Sequence, residues 1–254
     1  MRNTAKRMIL MEQSKVFVTS SWDDVAKLDV KLCELLETYK LKGTFFAVNN
    51  WIGKELPLED LIHISEKHEI GAHTLSHATL TQVSTDQARK EISESRRQLE
   101  EMLGKKVTSF AYPKGQYDKI HVEMVHDAGY LCARTTKPFF TTIGENPYEL
   151  GVTIWAAPHR LRDMRGLLRL FNISPSIIAN PLGIKRWNEL GKRIFDRILE
   201  SGGVFHFFGH SWQVDKMKGW QKLEDLLAYI SFRENVAYVT MSGCVRLSYH
   251  GRNG

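Results

Sequence analysis

Short β-rich apolar runs alternate with helix-patterned stretches along almost the whole chain, and this alternation narrows the fold more than any other feature. Residues 15–20 (KVFVTS) and 43–48 (GTFFAV) are strand-like, and a short third strand is expected to end near Ala72. Further strands are expected at 108–112, 131–135, 152–156, 202–208 and 236–240. Between the first two, residues 25–40 place Val30, Cys33, Leu36 and Tyr39 at helical spacing, and another helix is expected around 58–68. Ser84-Thr-Asp-Gln87 reads as a capping box opening a polar helix that runs to Leu103 and stops at Gly104. Seven or eight strands separated by helices predict an α/β fold whose parallel sheet is closed, or nearly closed, into a barrel. No repeat or Pro/Gly-rich linker divides the 254 residues, so one domain is expected over 15–245, with tails at 1–14 and 246–254.

Composition excludes several classes. With 43% hydrophobic and 25% charged residues the chain is not disordered, and no window approaches the roughly 18 consecutive apolar residues of a membrane span. The apolar run near the N-terminus, Met8–Met11, is shorter than a secretory leader requires. Three widely separated cysteines, Cys33, Cys132 and Cys244, form no disulfide framework, which favours a reducing, cytoplasmic compartment. Between residues 159 and 197 nine cations face three acids, an excess equal to the whole net charge of +6. That bias suggests an anionic substrate or surface, although a solvated helical face explains it equally well. The apolar stretch Gly166–Ile184 lies inside it. A lid approaching a membrane surface or a lipid-linked sugar would combine those features, and a barrel-covering helix is the plainer alternative. No nucleic-acid recognition motif accompanies the basic stretch.

In a barrel of this kind, chemistry gathers at the C-terminal ends of the strands. Asp23 and Asp24 directly follow the first expected strand, His73 and His77 follow the third, and His206 and His210 lie along a late one. The i, i+4 spacing of His73 and His77 would put both imidazoles on one helical face, as a metal site needs. By strand alternation Val204, His206, Phe208 and His210 share a face, with His206 about 13 Å deeper than His210. Each piece alone has a bland reading: a helix cap for the aspartates, a satisfied core residue for a strand histidine. Their coincidence at strand ends is what points to one pocket.

Together these pieces resemble the polysaccharide deacetylases of carbohydrate esterase family 4, the NodB-homology domain. The resemblance rests on Ser21-Trp22-Asp23-Asp24-Val25, His73-Thr74-Leu75-Ser76-His77 and Phe110-Ala111-Tyr112-Pro113-Lys114-Gly115, in the family's order. It implies a distorted (β/α)7-type barrel and a hydrolase that removes an acyl group, N-acetyl above all, from a sugar or glycan. It further implies a divalent metal, zinc in most relatives, held by Asp24, His73 and His77. Metal-bound water would be the nucleophile, Asp23 the general base and a late strand-end histidine the proton donor. His210 is favoured for that role because a donor must reach the pocket rim, which leaves His206 as a buried supporting residue. Tyr112, Pro113, Lys114, Gly115 and Trp212 are the expected substrate contacts; Tyr112 and Trp212 could stack on a sugar ring, and packing explains either equally well.

The chain departs from the family pattern in three places. Ala111 stands where an arginine usually orients the base, and Arg134, at the end of a later strand, could supply that charge instead. Val25 replaces a frequent glycine, and the family's aspartate–tryptophan pair is missing, Trp155 having no carboxylate beside it. Other readings compete: a deacylase of a small non-sugar amide, or a weakly active relative that binds saccharide. A non-haem iron oxygenase would also use two histidines and a carboxylate. The carboxylate lying 49 residues before His73 on an alternating α/β chain argues against it.

Overall fold

The computed structural model describes residues 16–159, Leu167 and 186–250. Strand β1 (Val16–Asp23) is the spine of the sheet. One of its edges pairs with β7 (Gly203–Gly209) from Val16 to Trp22. Its other edge is divided, Val16–Val18 pairing with β8 (Val236–Tyr238) and Ser20–Asp23 with β2 (Gly43–Ala47). Beyond β2 the sheet continues through β3 (Glu69–Ala72) and β4 (Ser109–Ala111) to β5 (Cys132–Arg134), and beyond β7 it ends at β6 (Ile154–Trp155). Every ladder is parallel, so the strands all end on one side of the molecule. Among the described residues no ladder joins β5 to β6, and the sheet is a curled half-barrel, the expected α/β barrel left open on one side.

The crossovers are helices α1 (Leu28–Thr38), α2 (Leu58–Lys67), α3 (Thr85–Leu103), α4 (Lys119–Asp127) and α5 (Trp187–Ser201). Short α6 (Ser211–Lys216) and α7 (Trp220–Ile230) connect β7 to β8, and α8 (Met241–His250) follows β8. Alternation along β1 separates two environments. Val18 and Trp22 enter the main apolar core with Leu32 and Leu36 of α1 and Phe205 and Phe207 of β7. Each such large side chain taken out of water contributes roughly 1.5–3 kcal/mol. Thr19, Ser21 and Asp23 face the other way, into the barrel, where all three are buried, Ser21 pairing with His206 and Asp23 with Arg134.

Several expectations shift at their edges. β1 runs three residues further than its apolar pattern, because its ladder with β2 carries it through Asp23. Ser84 caps α3 by accepting the Gln87 N–H at 3.3 Å, but Gln87 turns its side chain to Glu91. The reciprocal half of the capping box is therefore not made. Gly104 ends that helix at φ 62°, a left-handed conformation that costs glycine nothing. Residues 246–250, expected in a tail, complete α8. The segment Gly166–Ile184 lies outside the described residues apart from Leu167, as does much of the basic stretch. Of its described part, Lys192 on α5 pairs with Glu189 and Asp225 at 3.1 and 2.7 Å. All three cysteines are buried and free, and no described helix is long and apolar enough to cross a membrane.

Candidate active site

Asp23 is the last residue of β1 and Asp24 the first beyond it. In an extended chain their side chains would oppose each other. Here Asp24 adopts φ 60°, a left-handed turn that aspartate tolerates better than most residues, and both carboxylates reach one centre. Val25, where the family often has glycine, is not among the positive-φ residues.

His73 and His77 follow β3, but on a loop and not on the helical face expected from their spacing. Thr74 and His77 both have positive φ, at 66° and 61°, which an α-helix excludes. Other interactions hold this loop. The His73 N–H donates to the Ala47 carbonyl, Asn49 and Asn50 donate to the carbonyls of Thr74 and Leu75, and the Thr74 hydroxyl accepts from Ala78 N–H. From α3, buried Glu91 accepts the Ser76 N–H at 3.0 Å and its hydroxyl at 2.8 Å. The two imidazoles then meet at 4.9 Å between ring centres.

The resulting geometry is compact. His73 Nε2 lies 3.7 Å from Asp23 Oδ2 and 3.8 Å from Asp24 Oδ1, while His77 Nε2 lies 3.3 Å from Asp24 Oδ1. One ligand atom from each of Asp24, His73 and His77 falls within 4.8 Å of the others. On the far side His210, capping α6, places Nε2 3.5 Å from Asp24 Oδ2. Arg134, at the end of β5, hydrogen-bonds Asp23 Oδ1 from a fully buried position and lies against Phe208, 4.3 Å from its ring centre. Sequence order separates Arg134 from Asp23 by 111 residues, and the barrel closes that gap.

The electrostatics divide the two carboxylates. Burial alone would raise Asp23, but Arg134, His73 and His210 outweigh it and hold the group below the usual carboxylate range. Asp24 is pushed up to about 6 by burial and by the charge of Asp23, against weaker opposing pulls from His210 and Trp212. Burial lowers His73 to about 4 and also lowers His77, for which Lys114 adds a smaller push in the same direction. Both rings are therefore neutral near pH 7.

This donor set fits a divalent cation. The Ala111 carbonyl can only accept, so His73 must donate to it from Nδ1 at 2.8 Å, which leaves the Nε2 lone pair aimed at the centre. Asp24 Oδ1 is buried with no hydrogen-bond partner. The His73 lone pair and Asp24 Oδ1 face one centre, an arrangement that a cation relieves.

The remaining expected residues separate. His206 is buried below the centre, with Nε2 2.8 Å from the Ser21 hydroxyl, and burial lowers it to about 3. Trp212 is exposed beside His210, with ring centres 5.2 Å apart. Lys114 is exposed at φ 57°, and a Cβ on Gly115 would collide with Thr136, so that turn requires glycine. Of the two readings of Tyr112, packing fits its surroundings: it is fully buried, donates its hydroxyl to the Tyr148 carbonyl and stacks on Tyr117 at 4.4 Å. Pro113 is buried as well. Trp155 stacks on His159 and donates to the Thr136 carbonyl.

Sequence reasoning missed Glu91, Asp29 and Trp51. Glu91 and Asp29 look like ordinary helix acids until their burial is seen, and Trp51, 5.4 Å from His77 between ring centres, lies in no motif. A cleft of about 720 Å3 lies between Thr81, Gly115, Tyr117, Lys137, Asn146 and Glu149; neither the two aspartates nor His73, His77 or His210 lines it.

Known proteins resemble this chain in sequence over part of its length and in fold over most of it. Residues 11–133 match the family described as polysaccharide deacetylase. The uncharacterized protein YlxY of Bacillus subtilis is 28% identical over 94 residues, 37% of this chain and 29% of that protein. The chain spans less than half the length of the curated relatives it matches. Among solved structures, a Mycobacterium smegmatis protein provisionally named a polysaccharide deacetylase is 17% identical, superposing over 94% of this chain and 91% of its own with a TM-score of 0.68. The peptidoglycan deacetylase PdaC of Bacillus subtilis is likewise 17% identical, over 95% of each chain, with a TM-score of 0.57. In fold over nearly its whole length, and in sequence over residues 11–133, the segment that carries Asp23, Asp24, His73 and His77, this chain is similar to proteins described as polysaccharide deacetylases.

Proposed function

We propose that this chain is a metal-dependent deacylase that hydrolyses an N-acyl, most simply N-acetyl, group on a sugar within a glycan, and that residues 15–245 form the catalytic unit. The observation that carries this reading is the convergence of two neutral imidazoles and one unpartnered carboxylate oxygen beside a second carboxylate that Arg134 keeps ionised.

A divalent cation such as zinc, held by Asp24, His73 and His77, would supply Lewis acidity for activating water and for the charge that develops on the acyl oxygen. Asp23 takes the proton from the attacking water as its oxygen bonds to the acyl carbon. Arg134 keeps Asp23 in the ionised form that this step needs. His210, at the mouth of β7, delivers a proton from Nε2 to the departing amine nitrogen as the C–N bond breaks, leaving a carboxylic acid and a free amine. His206 is too deep for that transfer and is held by Ser21. Its part is to support β1 and β7 beneath the site.

A cleft bordered by Gly115, the residue after Lys114, would suit a glycan better than a small amide. Its walls present Gln116, Asp118, Lys137, Asn146 and Glu149 around Tyr117, many donors and acceptors beside an aromatic ring, as a hydroxyl-rich ligand requires. Acetate release from N-acetylglucosamine monomer, dimer and tetramer tests this. The tetramer should be the best substrate, and Asp23→Asn should lower kcat by roughly 100- to 10,000-fold. Equal rates on all three, or on a simple N-acetyl amide, would transfer the assignment to a small-amide deacylase.

A further inference from the structure

Asp29 is among the most buried carboxylates of the molecule, at 1% exposure, and the chemistry above does not use it. It stands in the first turn of α1, five residues after Asp24. Its Oδ2 accepts the Ala26 N–H at 3.0 Å while its own N–H donates to the Ala26 carbonyl at 2.8 Å, a reciprocal clasp on the turn that leaves Asp24. Its Oδ1 has no partner of good geometry, and neither has the buried hydroxyl of Ser211. The two orphaned atoms belong to helices that pack together, and Ser211 is among the groups that act on the Asp29 carboxyl. Ser211 is the residue after His210 and opens α6, which packs on α1.

We propose that Asp29 is a positioning residue: a single buried carboxyl that ties the Asp24 turn, through Ala26, to the His210 turn, through Ser211, and so sets the separation of Asp24 and His210. The proposal rests on the roles given above to those two residues. Burial raises the Asp29 carboxyl to about 7, so near neutral pH it is also a hydrogen donor, which the Ser211 hydroxyl can accept. A tether of this kind acts on catalysis without touching substrate, and removing such outer partners lowers activity by roughly 10- to 100-fold.

The test compares wild type with Asp29→Ala, Asp29→Asn, Ser211→Ala and the double Ala variant. It reads kcat and KM for acetate release from the N-acetylglucosamine tetramer, and the His210 imidazole 1H–15N signal, identified by its loss in His210→Gln. Asp29→Ala and Ser211→Ala should each lower kcat about tenfold with KM within about twofold, and the double variant should fall no further than Asp29→Ala alone. Asp29→Asn keeps an acceptor for Ala26 and a donor for Ser211, so it should recover most of the rate and the wild-type His210 signal. Should Asp29→Ala fail to fold, Ser211→Ala alone must still displace that signal. The proposal is overturned if the His210 signal is unmoved in Ser211→Ala, or if the two alanine effects multiply in the double variant. Absence of acetate release from wild type would sink the deacylase reading, and the His210 signal would still decide the role of Asp29.

Discussion

His73 and His68 are both buried imidazoles lowered to about 4, mainly by burial, yet their hydrogen bonds make them opposite chemically. His73 donates from Nδ1 to a carbonyl and presents a lone pair at Nε2. His68 accepts the Gly43 N–H at Nδ1, 3.1 Å away, so its neutral ring keeps the proton on Nε2. Cys33, Glu37 and His68 also gather within ligand distance of one another, but that tautomer has no lone pair left for a metal. The same burial predicts a pH dependence. His68 ionises in the unfolded chain near 6.5 and in the folded chain near 4, so its neutral form stabilises the fold fully above 6.5 and that contribution is lost as pH falls toward 4. The window corresponds to roughly 3 kcal/mol. His68→Asn retains an acceptor for Gly43, so thermal melts between pH 7.5 and 4.5 should show a shallower loss for the variant. Equal slopes would contradict this account.

At the scale of elements, the loop after β3 depends on a helix distant in sequence. Glu91 of α3 is the anchor of Ser76, and Ser76 lies between the two candidate ligands. Glu91→Ala should therefore lower zinc affinity by roughly 10- to 100-fold in competition with a chromophoric chelator, more than Glu94→Ala on the exposed face of the same helix. Equal affinity of the two variants would remove Glu91 from the site. Elements that owe their form to local chemistry were legible in the sequence: α3 between its Ser84 cap and Gly104, and the strands as β-rich apolar runs. The His73–His77 loop was not, because i, i+4 spacing is shared by a helix and by a loop bent at two positive-φ residues, and only tertiary hydrogen bonds choose between them. The choice between stacking and packing for Tyr112 was open for a similar reason: an aromatic beside a glycine turn fits either until Phe110, Tyr117 and Tyr148 enclose it.

Across the whole molecule, the site exists because parallel strands deliver their ends to one side of a curled sheet. β1 brings both aspartates, β3 leads to the two histidines, β5 brings Arg134 and β7 leads to His210. The motif residues on these strands could be read from the sequence, and Arg134 could be anticipated as a stand-in for the charge missing at Ala111. The couplings between strand ends, Glu91 to Ser76 and Asp29 to Ala26 and Ser211, could not, since each joins segments that only the fold brings together. The central claim is that Asp24, His73 and His77 hold one divalent cation. Elemental analysis after reconstitution with zinc and gel filtration tests it most directly, on wild type and on His73→Ala, each checked by its melting transition. About one zinc per folded wild-type chain, falling to a small fraction in folded His73→Ala, is the predicted result. Folded wild-type protein that retains no zinc, or His73→Ala that retains as much as wild type, would contradict it.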